Sequence, residues 1–161
     1  MTANVEAENG ILISTFNGNA IMYVRPPNQT QNCIGKLMHP NPTATMFKIM
    51  QQSDPQKFLV HSISSNTPIL KIEKLNNFKG KCFTILGADC VHSIKKMDNT
   101  VVGDIRPKLC CSSNTLIVQF KSTNIDAQIR AIILGIASLF AITEAYPEIG
   151  EMLSQTLQRH H

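Results

Sequence analysis

The chain has 161 residues, enough for one domain with its own core, and 43% of them are hydrophobic against 16% charged, so much of it must be buried. The net charge of +4 is unevenly spread: residues 71–130 hold ten Lys/Arg against five acids, while 131–161 hold one Arg against three Glu. Five cysteines without framework or metal spacing, no phosphate loop, no zinc signature and no nucleophile motif argue against an enzyme and against a disulfide scaffold.

The opening "MTANVEAENG" is polar and acidic and is not read as a secretion signal. Together with the unpaired thiols it points to the cytoplasm or the cytoplasmic face of a membrane, not to secretion. "GILISTF" (10–16) is the first candidate strand. "AIMYV", the turn "RPPNQTQN" and "CIGKLM" then read as strand, turn, strand, and "VHSIKK", "MDNT" and "VVGDI" repeat the arrangement. Each second strand carries an interior glycine, Gly35 or Gly103, which marks a bulge or a close backbone approach. Between the two hairpins "TMFKIMQ", "KFLVHSIS", "ILKIEKL" and "KCFTILG" are further strands, and "NTLIVQF" is the last. No segment before residue 124 sustains a helical period, so the first three quarters read as an antiparallel β structure.

The end of the chain is helical. Asn124 is the expected N-cap, Asp126 the acid of the first turn, and Pro147 the stop after Tyr146. A short amphipathic helix or tail is expected over 147–161, with Ile149, Met152, Leu153 and Leu157 on one face. The uncharged run between Arg130 and Glu144, "AIILGIASLFAIT", has 13 residues. At about 1.5 Å per residue it covers roughly 20 Å, against about 30 Å of bilayer hydrocarbon. Its length favours a helix in the centre of a fold over a membrane span, and both readings stay open.

Several ordered blocks resemble the phospholipid scramblases of the tubby-like superfamily over residues 20–146. "PPNQTQNCIGKLMHP" is similar to a Pro-Pro turn followed by Ile-Gly and a His-Pro pair, here His39-Pro40. "MFKI", "HSIKKMDNTVVGDIRP" and "LIVQF" followed by an Asp, a basic residue and "AIILGIASLFAI" continue the match. The resemblance implies a β-rich α+β fold, a single domain over 1–161: a tubby-like antiparallel β-barrel around a central apolar C-terminal helix. About 20 residues precede the match where the family has further strands, so either the barrel is incomplete or something else closes it; an open edge would invite pairing with a protein partner or a second copy.

The resemblance also implies a membrane-associated protein taking part in phospholipid scrambling or anionic phospholipid binding. The alternative is a soluble tubby-like interaction module that binds protein, less readily DNA, without lipid transport; nucleic acid is the weaker partner. Lys71, Lys74, Lys79, Lys81, Lys95 and Lys96 of the basic middle are the candidate lipid contacts. The family's calcium-binding segment corresponds to Ser112, Asn114, Asn124 and Asp126, of which only Asp126 is charged. Calcium takes six to eight oxygens, usually several from carboxylates, so Asn124 and Asp126 read as a degenerate calcium site doubling as a helix cap.

Overall fold

Alternation writes the sheet. In β4 (Cys33–Met38) and β5 (Thr45–Gln51) the inward series Cys33, Gly35, Leu37 and Phe47, Ile49 is buried, whereas Lys36 and Lys48 between them are not. The computed structural model describes residues 2–6, 10–26, 32–41, 44–76, 90–107, 116–145, 151, 152 and 155. Besides those two, the strands are β1 (Thr2–Glu6), β2 (Gly10–Ser14), β3 (Ala20–Arg25), β6 (Lys57–Ser62), β7 (Pro68–Asn76), β8 (Cys90–Lys96), β9 (Val101–Pro107) and β10 (Leu116–Phe120). They form one ten-stranded sheet in chain order, every neighbour antiparallel. The sheet is open: among the described residues β1 and β10 are its two edges and do not pair with each other.

The helix α1 (Ala127–Phe140) lies against the inner face and continues into a π-helical turn, Ala141–Ala145. Ile132, Ile133, Ile136 and Leu139 are at most 1% exposed and share one cluster with inward residues of β2 to β9, from Ile13 and Val24 to Ile94 and Ile105. Residues 131–143 are therefore core for most of their length, and no described helix is long and apolar enough to cross a membrane.

The helix sits close because glycines make room. A Cβ on Gly35 would stand 2.5 Å from Leu139 Cδ2 and 3.2 Å from Arg25 O; one on Gly135 would stand 2.7 Å from Met22 Sδ. At Gly103 the close approach is to the neighbouring strand, where a Cβ would stand 3.0 Å from Gln119 O, and register shifts fall beside both strand glycines. The close-approach reading of the two strand glycines thus holds. Gly35→Val should cost about 1–3 kcal/mol through overpacking, read as a lower urea midpoint with unchanged slope.

Two local readings change. β1 occupies the polar start that gave no strand signal; its formation rests on backbone pairing with β2, Thr2 opposite Ser14 through Glu6 opposite Gly10. The N-cap is Asp126, not Asn124: the Asp126 carboxylate accepts from Gln128 N at 2.8 Å, while Asn124 N donates to Ser122 Oγ at 3.1 Å. Asp126→Ala should therefore lower stability by about 1 kcal/mol, and Asp126→Asn by far less, in thermal melts. The strand "KCFTILG", Tyr146, Pro147 and most of 147–161 lie outside the described residues; Glu151 and Met152 are helical.

Candidate functional site

The outer face of the sheet carries the candidate site. Strand pairing sets Arg25 of β3 opposite Lys36 of β4, Lys36 opposite Lys48 of β5, and Lys48 opposite His61 of β6. Lys71 of β7 is opposite Leu59, two residues from His61 on the same face, and is itself opposite Lys95 of β8. Six basic side chains thus cross six neighbouring strands as one band. With strands about 4.8 Å apart, the band runs roughly 24 Å around the sheet.

Like charges placed directly opposite destabilise a sheet, so the band is not explained by folding. Its flanks are apolar: Ile34, Met46, Met50 and Leu59 are half-buried at neighbouring positions, while Met38 and Tyr23 opposite it are buried. Among the described residues no carboxylate pairs with Lys36 or Lys48. At the far end the charge is partly balanced. Lys95 Nζ meets Glu73 at 2.5 Å, and Lys71 Nζ donates to Asn99 Oδ1 at 3.1 Å.

Of the lysines expected from sequence, the fold brings together Lys71 and Lys95, with Lys96 exposed one residue further along β8. Lys74 belongs to the inward series of β7 with Leu70 and Ile72, opposite His92. Lys79 and Lys81 lie outside the described residues, as do Ser112 and Asn114 of the suggested calcium segment. Asp126, the one carboxylate of that segment, is engaged as the helix cap, and Asn124 adds no charge. Such a donor set does not fit calcium's need for several carboxylate oxygens. Among the described residues no group of three or more His, Cys, Asp or Glu is placed to hold a metal.

His92 is buried, and its ring stacks on Phe140 with centroids 4.1 Å apart. Arg25, Lys36, Lys48 and His61 were not legible as a group from the sequence. Only the strand register aligns them. In comparisons with known proteins, no family model, no curated protein and no solved structure matches this chain.

Proposed function

We propose that the chain is a scramblase-like, membrane-associated protein that binds anionic phospholipid through the outer face of β3 to β8. The observation that carries this reading is the basic band, six side chains across six strands with apolar neighbours on both sides. Each Lys or Arg near an anionic leaflet contributes about 1 kcal/mol, and the methionine and leucine flanks suit the headgroup boundary. Single-stranded nucleic acid fits less well. It stacks its bases on aromatic side chains, and Tyr23 is the one aromatic among the band's described outward neighbours.

The meander around a C-terminal helix supports reading the fold as an incomplete tubby-like barrel, as the motif resemblance implies. The open edges at β1 and β10 favour a second reading, a protein-interaction module without lipid transport. Sedimentation with vesicles separates them. A lipid-binding band predicts association with phosphatidylcholine mixed with phosphatidylserine, weakened by salt, and little association with phosphatidylcholine alone. No vesicle binding at low salt rules it out. A dithionite assay on reconstituted vesicles tests lipid transport separately.

A further inference from the structure

In a meander, alternate turns fall at the same end of the sheet. The connections β2–β3, β6–β7 and β8–β9 therefore share one end. That end carries most of the exposed large hydrophobic side chains of the described residues. Phe16, 86% exposed, tips the first hairpin; Ile63 opens the second turn; Met97 and Val101 flank the third. Leu75 is at the opposite end of its strand, and Met152 is outside the sheet.

These tips are ordered without help from their apolar residues. Thr15 N donates to Asn19 O at 2.9 Å and Gly18 N to Thr15 O at 3.0 Å, so the first turn is closed by its own backbone. Gly18 and Asn66 and Asn99 of the other two turns take positive φ, which suits their tight geometry. The third turn is closed by Asn99 N to Lys96 O at 3.0 Å and Lys96 N to Thr100 O at 2.9 Å. Phe16 makes no contribution to these closures, and its ring is presented to the surroundings at little ordering cost.

The charge at this end has the sign that a phospholipid surface selects. Lys96 is exposed beside Met97, and Lys71 is held against the third turn through Asn99. Two nearby acids are engaged: Asp104 with Lys121, and Asp126 with the helix. Asp98 remains a charged acid on the third tip; hydrogen bonding from the Thr100 amide holds its carboxyl below the ordinary carboxylate range. The apolar residues are spread over three hairpins, one on each of the first two and two flanking the third, with Asn17, Ser64, Ser65 and Asn99 between them. A protein interface core wants a contiguous apolar patch. Isolated apolar tips beside lysines suit a headgroup layer, where each enters between lipids.

We infer that the hairpin-tip end, led by Phe16, is the part of this protein that enters an anionic bilayer. The inference rests on the proposed membrane reading and adds the orientation: the band gathers the protein to the surface and the tips penetrate it. The chain has no tryptophan, so Phe16→Trp supplies a single reporter.

On vesicles of phosphatidylcholine and phosphatidylserine, the indole emission of the Phe16→Trp variant should shift to the blue and be quenched by brominated lipid. Phe16→Ala should bind about tenfold more weakly, as expected for losing one buried aromatic, with an unchanged melting temperature. Leu75→Ala should bind like the parent chain. If vesicles sediment the Phe16→Trp variant but its emission does not move, or Phe16→Ala binds normally, the insertion is wrong and the band reading stands. If the parent chain does not bind vesicles at low salt, both fall together.

Discussion

Replacing Ile136 by alanine should lower the free energy of unfolding by about 2–5 kcal/mol. Ile136 is fully buried in the same cluster as Ile132, Ile133 and Leu139, with sheet residues packed around the helix. Truncation removes transfer free energy and leaves a cavity that close-packed neighbours fill only in part. Against a total stability of about 5–15 kcal/mol, a loss of this size approaches unfolding at physiological temperature. Urea titration of the purified chain, followed by far-UV circular dichroism, measures it. A helix facing solvent predicts a change within about 0.5 kcal/mol at this position. Such a result would remove the helix from the core.

The second large effect concerns binding. Lys36→Gln with Lys48→Gln should weaken association with phosphatidylserine-containing vesicles about 30-fold, from about 1 kcal/mol for each charge brought to an anionic surface. Stability should move the other way or not at all. Lys36 and Lys48 face each other and are flanked by Arg25 and His61, so neutralising them removes repulsion between like charges. A melting temperature that holds while affinity falls separates a binding role from a structural one. If affinity and melting temperature fall together, the lysines serve the fold.

Much of the architecture was written locally. Buried residues at every second position of "CIGKLM" and "TMFKIMQ", turn residues between them and two strand glycines were enough for an antiparallel β structure. The length of "AIILGIASLFAIT" was enough to prefer a core helix. β1 was not legible, because the alternation in "TANVE" rests on only two apolar residues, Ala3 and Val5, in a polar and acidic start, and its pairing with β2 is a matter of backbone hydrogen bonds. The shift of the N-cap from Asn124 to Asp126 is of the same kind: both residue types cap helices well, and only geometry chooses between them.

The candidate site was less legible than the fold. The basic middle of the chain drew attention to lysines close together in sequence, among them Lys71, Lys74 and Lys95. The sheet separates Lys74 from the other two and joins Lys71 and Lys95 to residues far upstream. Arg25, Lys36, Lys48 and His61 are 11, 12 and 13 residues apart in sequence, by subtraction of their numbers. No periodicity links such positions. Hairpin register does, since each turn length decides which residues of two strands stand opposite.

Lysine acylation footprinting with and without anionic vesicles tests the membrane face most directly. Lys36 and Lys48 lie in the band, whereas Lys57 is on the same sheet face at the other end of β6, exposed and paired with Asp54 at 3.1 Å. Binding through the band predicts that phosphatidylserine-containing vesicles protect Lys36 and Lys48 and leave Lys57 reactive. Equal reactivity at all three lysines, on vesicles that demonstrably carry the protein, would contradict it.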